Sequence, residues 1–233
     1  GLFPAVALGV KIIDNQNTYF NNGKLRAGVG VTGQQAIGDD YAYLADYQLS
    51  FFNARYQFGD EFIYTLRPNG YDENIKWEES TTYNVGLDFS IVKDRVSGTF
   101  EVYKRFTKDL LNYISVPSGT NLTNFINTNI GNMEVQGIEL TLNVTPYLTE
   151  KNSWDLAVNV GYNQSKITKL TATDDPAYQG VLTGGIAGGV GSNIQIHSVG
   201  YAPSSFYVYE QLYDDDGNVL EGQFADRNKD GVV

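Results

Sequence analysis

The chain of 233 residues carries 27 acidic and 16 basic side chains, which gives a formal net charge of −11 at pH 7. This acidic balance argues against a nucleic-acid partner, because nucleic-acid-binding proteins present a basic footprint. The chain has no cysteine, which excludes disulfides and cysteine metal sites. It also has no apolar stretch near the roughly 18 residues of a membrane helix.

Six long β-strands are predicted from the alternation of apolar and polar residues, because side chains alternate between the two faces of a strand. Helical periodicity is weak throughout. In chain order, the predicted strands cover residues 3–13, 24–32, the two arms of a hairpin over 82–107, 134–147 and 153–166.

The hairpin over residues 82–107 has the clearest pattern. One face of its first arm is apolar and consists of Tyr83, Val85, Leu87, Phe89 and Ile91. Each arm is about twice as long as the 5–6 residues typical of a soluble strand, and this length suits a tilted strand that crosses a bilayer. We therefore predict an all-β fold, an antiparallel transmembrane β-barrel with long extracellular loops. A soluble sandwich with inserted loops is the alternative.

The connections between the predicted strands alternate in length. Tight turns are predicted at 14–23, 93–94 and 148–152. Long connections are predicted at 33–74, at 108–133 and from 168 to the end. This asymmetry is typical of outer-membrane barrels, which have short periplasmic turns and long extracellular loops.

Six strands are too few to close a barrel, since single-chain outer-membrane barrels begin at about eight. An open edge would leave backbone groups unpaired in lipid, at a cost of several kcal/mol each. We therefore expect the chain to be a segment of a longer protein. Its predicted organisation is six transmembrane strands with their loops over 1–167, then a long extracellular loop region over 168–233 that is truncated at its end.

Several segments, in collinear order, resemble the late-barrel region of TonB-dependent outer-membrane transporters of the SusC/RagA type. The most specific is NIKWEESTTYNVGLDFSIVKDRVSGTFEVYKRFTKDLL (Asn74 to Leu111). The others are Leu2 to Val10, Lys24 to Tyr47, Thr128 to Val144, Ser153 to Leu170, Ser198 to Asn218 and Phe224 to Val233. Together these segments span nearly the whole chain.

The resemblance implies a 22-stranded, multi-pass barrel in the lipid of the cell outer membrane, with a plugged lumen. It implies import of nutrient oligomers, mostly oligosaccharides with peptides as the main exception. Import would be driven by the TonB complex through an N-terminal plug that is missing from this chain, under a SusD-like surface lipoprotein. A soluble or surface-attached glycan-binding β-protein is the alternative.

Aromatic side chains crowd the first long connection, residues 33–74. Rings beside polar groups can stack on sugar faces while their hydroxyls form hydrogen bonds. The predicted substrate-binding residues are Tyr41, Tyr43, Tyr56 and Tyr64. Alternatively, the rings form the interfacial girdle and the internal packing of the loop.

Asp226, Asn228 and Asp230, followed by Gly231, match the opening of a calcium-binding loop. The alternative is an Asx-rich turn that is held by local hydrogen bonds. The nearby segment 214–218 is predicted as a hairpin turn. Apart from a possible calcium ion, we expect no cofactor.

A set of charged residues is predicted to face the lumen, where the members would pair with each other, with water or with the plug. These are Arg26, Asp88, Arg95, Glu101, Glu139 and Asp155. None of them forms a catalytic constellation, and the single histidine, His197, lies in a glycine-rich stretch. We therefore do not expect an enzyme.

Overall fold

The computed structural model describes residues 1–15, 19–34, 41–51, 54–171, 178–186 and 193–227. The chain divides into two compact units, residues 1–174 and residues 175–233. Across the described ranges, no helix has both the length and the apolar character needed to span a membrane.

A single antiparallel sheet dominates residues 1–174. The strands of this unit, numbered in chain order, are β1 (Ala5–Asp14), β2 (Phe20–Gln34), β3 (Tyr47–Leu49), β4 (Arg55–Phe58), β5 (Glu61–Tyr64), β6 (Leu66–Pro68), β7 (Glu78–Ile91), β8 (Val96–Ser115), β9 (Phe125–Leu148) and β10 (Ser153–Lys169). The large sheet has the order β1-β2-β7-β8-β9-β10, whereas β3 pairs with β6 and β4 pairs with β5 in two small hairpin-like sheets. The six predicted long strands are thus confirmed in number and order.

The predicted loop over residues 108–133 is wrong. Strand β8 continues to Ser115 and β9 begins at Phe125, so the connection between them is only residues 116–124. The alternation breaks where the register shifts between Thr107 and Leu111, and Asp109 there has a φ of 57°. Beyond this bulge the two strands pair again, as far as Ser115 opposite Phe125. The turn predicted at 14–23 is also shorter, because β2 begins at Phe20.

One face of the large sheet, called the outward face below, is apolar across all six strands. Residues that are directly opposite each other on paired strands point to the same side of the sheet. The register aligns Leu8, Ala27, Val85, Val102, Ile138 and Tyr162 in one row. It aligns Val10, Leu25, Leu87, Phe100, Leu140 and Val160 in the next row.

The outward face is exposed rather than packed against a second sheet. Tyr83 and Val85 are 51% and 52% exposed, and the only buried hydrophobic residues in the described part of the chain are Ala42, Ile167, Leu170 and Ile196. A soluble sandwich would bury these rows in its core. From Trp154 to Tyr162 the apolar band spans about 27 Å along β10, or about 20 Å in height after the tilt of a barrel strand. That height suits the hydrocarbon layer of an outer membrane.

The tight turn between β7 and β8 is stabilised by the neighbouring end of the β1–β2 hairpin. Val92, Lys93 and Asp94 all have positive φ, near 55–62°, a region that L-residues seldom adopt. The Lys93 N–H donates to Asn21 Oδ1 at 2.9 Å, and the Val92 N–H donates to the Tyr19 carbonyl at 2.7 Å. Asn21 itself is buried, at 6% exposure. Contacts from the adjacent hairpin therefore stabilise this strained turn.

Replacement of Asn21 by alanine should destabilise the barrel by about 1–2 kcal/mol, because it leaves the Lys93 N–H without its acceptor. The measurement is the thermal unfolding midpoint of the full-length protein in detergent, followed by circular dichroism. The neighbouring Asn22 is exposed, so Asn22→Ala is the matched control. Equal midpoints for the two variants would contradict the role assigned to Asn21.

Residues 175–233 contain a three-stranded sheet and a separate hairpin. Their strands are β11 (Val181–Gly185), β12 (Asn193–His197), β13 (Ser205–Phe206), β14 (Gln211–Tyr213) and β15 (Val219–Phe224). The turn that joins β14 to β15 is the one predicted at 214–218, which is confirmed. The backbone N–H of Asn218 donates to the Asp214 carboxylate at 2.8 Å, and this hydrogen bond lowers the pKa of Asp214.

Candidate functional site

The face opposite the apolar rows, called the inward face below, carries a cluster of ion pairs. Arg26 Nε donates to both carboxylate oxygens of Asp88, at 3.0 and 2.9 Å. Its terminal nitrogens lie 3.4 Å from Glu101 Oε2, and Asn84 Nδ2 donates to the other Glu101 oxygen at 3.2 Å. Four residues from β2, β7 and β8 thereby join three strands through their side chains.

The predicted lumen-facing residues are largely brought together on this face. Arg26, Asp88 and Glu101 pair as predicted, and Glu139 lies directly opposite Glu101 in the β8–β9 register. The remaining two lie closer to the tight turns. Arg95 is in the turn between β7 and β8, and Asp155 accepts a hydrogen bond from the Thr145 hydroxyl at 2.7 Å.

Glycines on the inward face allow the long side chains to lie flat along the wall. A Cβ atom at Gly86 would lie 2.9 Å from an Arg26 terminal nitrogen, and one at Gly28 would lie 2.7 Å from Asn84 Oδ1. At Gly137 the added atom would meet the Tyr103 ring at 2.7 Å. At each of these glycines, the absence of a side chain leaves room for a polar side chain from the next strand.

A hollow of about 580 Å³ lies on the inward face beside the ion-pair cluster. Its β1–β2 side is lined by small residues, including Ala5, Ala7, Gly28 and Gly30. Its other side is polar and is lined by Thr82, Asn84, Glu101, Tyr103, Arg105 and Glu139. Such a surface suits water, a polar solute or a polar protein segment, and it does not suit lipid.

The role of Gly86 can be isolated with a matched glycine in the same cross-strand row. Gly86 lies opposite Glu101, and Gly161 lies opposite Glu139. A Cβ at Gly161 would meet only Glu139 Cγ, at 4.0 Å. We expect Gly86→Val to displace the Arg26 guanidinium and to cost about 1–3 kcal/mol.

The measurement is the thermal unfolding midpoint of the full-length protein in detergent. Gly161→Val should leave the midpoint unchanged or raise it, because valine favours strands. A decrease of the same size in both variants would show that the Arg26 contact contributes nothing specific.

Among the aromatic residues of the first long connection, Tyr56 and Tyr64 lie on the same small hairpin but on opposite faces. Tyr56 is directly opposite Ile63, whereas Tyr64 is directly opposite Arg55, and neighbouring positions on a strand point to opposite sides. The Arg55 guanidinium lies over the Tyr64 ring at 5.0 Å. The Tyr56 ring lies 4.9 Å from the Phe58 ring and is 57% exposed. The two tyrosines therefore cannot bind the same flat ligand together.

Tyr41 and Tyr43 flank a buried alanine in a turn before β3. Ala42 is 8% exposed, and its carbonyl accepts a hydrogen bond from the Asp72 N–H at 3.2 Å. The two tyrosines are 63% and 48% exposed. The turn thus anchors itself through Ala42 and presents two rings to the surface, as a substrate-binding prediction requires. Substrate binding by these residues stays a prediction.

The part of the β8–β9 hairpin beyond the bulge, residues 108–132 including the connection 116–124, is called the β8–β9 post below. Side chains from the post hold the segment that precedes β7. Asn129 pairs with both backbone groups of Lys76, at 2.7 and 2.8 Å, and Asn121 does the same for Tyr71, at 3.3 and 2.8 Å. The Lys76 ammonium lies 2.8 Å from the Asp109 carboxylate, and this hydrogen bond raises the pKa of Lys76.

Sequence reasoning missed the post and the aromatic pair on it. Tyr113 and Phe125 stack with their ring centroids 5.5 Å apart and an interplanar angle of 20°, and they are 61% and 48% exposed. The strand parts of the post contain four asparagines, Asn112, Asn127, Asn129 and Asn132. Asparagine is depleted in strands, so the post resembled a loop. The apolar residues around Tyr113 were the only signal that the strand continues.

The predicted calcium loop lies mostly outside the described residues. Asp226 is described, but Asn228 and Asp230 are not. Within the ranges that the structure describes, no group of three or more His, Cys, Asp or Glu side chains could hold a metal ion. Calcium binding therefore stays a prediction.

Comparisons with known proteins agree with this architecture. Residues 1–229 match the family model described as "TonB dependent receptor-like, beta-barrel". The chain is 44% identical to the TonB-dependent receptor SusC of Bacteroides thetaiotaomicron over all of its length, which is 24% of SusC. It is 33% identical to the TonB-dependent receptor P39 of Formosa agariphila, over 79% of this chain and 17% of that protein.

Among solved structures, the RagAB peptide transporter superposes with a TM-score of 0.72 at 23% identity, over 91% of this chain and 22% of that chain. The RagAB peptide importer in its "closed-closed" state gives 0.71 at 22% identity, over 94% and 24% respectively. At these identities the likeness establishes the fold. The chain spans about a quarter of the length of SusC and less of P39.

Proposed function

Because the chain belongs to the TonB-dependent receptor β-barrel family, we propose that it forms part of the wall of an outer-membrane importer for nutrient oligomers. The family's barrels are outer-membrane proteins. The observation that carries the proposal is the two-faced wall, which has apolar rows across six strands on one side and the Arg26 ion-pair cluster on the other. A wall of this kind separates lipid from a polar conduit.

The proposed cargo is an oligosaccharide. The resemblance to transporters of the SusC/RagA type, which mostly import oligosaccharides, supports this choice, as does the exposed Tyr56–Phe58 ring pair. Peptides are the second candidate, because the RagAB structures are of a peptide transporter. Binding of the purified full-length transporter to matched panels of oligosaccharides and peptides separates the two.

Two partners complete the proposal. A SusD-like surface lipoprotein would cover the extracellular mouth and deliver the cargo, and the TonB complex would supply energy through the plug. The exposed aromatic residues of the first connection and of the β8–β9 post support the first partner, because rigid amphipathic rings are enriched at protein interfaces. The match to the TonB-dependent receptor model supports the second.

Import by this route should require TonB and should leave the cargo intact. We expect cells that express the full-length transporter to accumulate a labelled oligosaccharide, and cells without functional TonB to lose that uptake. The measurement is the label inside the cells, with the size of the recovered cargo determined by chromatography. Undiminished uptake without TonB would overturn energy coupling, and cargo cleaved by the purified transporter would point to an enzyme.

The two faces of the β4–β5 hairpin should contribute unequally to cargo binding. Tyr56→Ala should weaken oligosaccharide binding by about five-fold, on the order of 1 kcal/mol for a lost ring contact. Tyr64→Ala is the matched control on the other face, where the Arg55 guanidinium already covers the ring. Isothermal titration calorimetry on the full-length transporter measures both affinities. Equal affinities for wild type and Tyr56→Ala would remove this hairpin from the binding surface.

A further inference from the structure

The outward face is not uniformly filled, because a depression of about 680 Å³ interrupts the apolar rows. Ala27 contributes the smallest side chain in its row, between Leu8 and Val85. The depression is lined mainly by apolar residues of β1, β2, β7 and β8, which are Val6, Leu8, Ala27, Val29, Val85 and Val102. A flexible hydrocarbon chain fits such an apolar depression.

Polar groups are gathered at one edge of this depression. Tyr83, Lys104 and Gln136 line it, and the register places these three directly opposite one another on β7, β8 and β9. Each of them is two residues along its strand from Val85, Val102 or Ile138, and so on the same face of the sheet. In each case the polar residue is the one farther from the tight turns. Lys104 is thus at the point where the apolar rows end.

The charges around Lys104 leave a positive excess at this edge. Lys104 Nζ lies 3.3 Å from Glu134 Oε2 and 4.7 Å from the centre of the Phe106 ring. Lys166 lies directly opposite Glu134 on β10, so this part of the outward face carries two lysines and one glutamate. The Lys104 side chain is 45% exposed. An ammonium group has three donors, and the contact with Glu134 uses only one of them.

We propose that this depression binds a lipid of the outer leaflet, with one acyl chain over Ala27 and a phosphate of its head group held by Lys104. The tight turns define the periplasmic rim, so Lys104, at the opposite end of the apolar rows, is at the level of the outer-leaflet head groups. The inference goes beyond import, because it depends on the outward face contacting lipid and not on the identity of the cargo.

Three features favour a lipid over another occupant. The depression is continuous with the apolar rows that already face hydrocarbon, and Lys is a common phosphate ligand. Tyr83 supplies the amphipathic ring that is typical of the membrane interface. Free phosphate would contact Lys104 but would leave the apolar floor over Ala27 empty.

The test uses the full-length transporter in detergent and native mass spectrometry. Its probes are phosphatidic acid, diacylglycerol with the same acyl chains, and inorganic phosphate. We expect the wild type to retain phosphatidic acid about five-fold better than diacylglycerol, and Lys104→Gln to lose this preference. Ala27→Leu should fill the depression on the outward face and reduce the retention of both lipids. Excess inorganic phosphate should not release the bound lipid.

Lys24→Gln is the matched control, because Lys24 lies on the inward face, opposite Asp88. It should keep the preference for phosphatidic acid. Equal retention of the two lipids by the wild type, equal losses in Lys24→Gln and Lys104→Gln, or release of lipid by phosphate would overturn the proposal. Cargo binding measured on the same samples separates this outcome from a failure of the proposed import function, since Lys104→Gln should bind cargo as the wild type does.

Discussion

The pairing of backbone groups is the constraint on which the rest of this structure depends. Inside a membrane no water is available to N–H and C=O groups, so each strand must satisfy them through its neighbours. Antiparallel pairing connects β1 through β2, β7, β8 and β9 to β10 in one sheet, with local register shifts such as the bulge after Thr107. Because the backbone groups pair within the sheet, the side chains on its two sides are free to differ.

The two sides meet different solvents, and their side chains are organised in different ways. On the outward face, lipid takes the place of a protein core, so Val85 and Tyr83 remain half exposed within the chain. On the inward face the polar groups must be satisfied without a core. Arg26 achieves this by lying over Gly86 and bonding to carboxylates on β7, the next strand, and on β8, the strand after it. A glycine in a strand here serves side-chain packing rather than flexibility.

The sequence predicts the parts of this fold where one face must be apolar, and it fails where that requirement ends. The strands around Val85 and Val102 were predicted with the correct faces, because lipid enforces the alternation along each of them. Above the membrane the β8–β9 post has no such requirement, so its polar strand residues, including the Asn129 that binds Lys76, resembled a loop. The pairing of Arg26 with Asp88 was predictable from charge and face, whereas the separation of Tyr56 from Tyr64 required the hairpin register.

The hydrogen bonds from Asn121 and Asn129 of the post to the segment before β7 also affect the loop that joins β2 to β7. The entropy of closing a loop grows only logarithmically with its length, so halving the free length saves about 0.6 kcal/mol. Asn121 and Asn129 therefore contribute little by shortening the loop. Their larger effect is on position, because they fix the residues just before β7 against the β8–β9 post. The hydrogen bond from Asp72 to the Ala42 carbonyl links the turn that carries Tyr41 and Tyr43 to the same fixed segment, so the post sets the position of these two rings through a chain of hydrogen bonds.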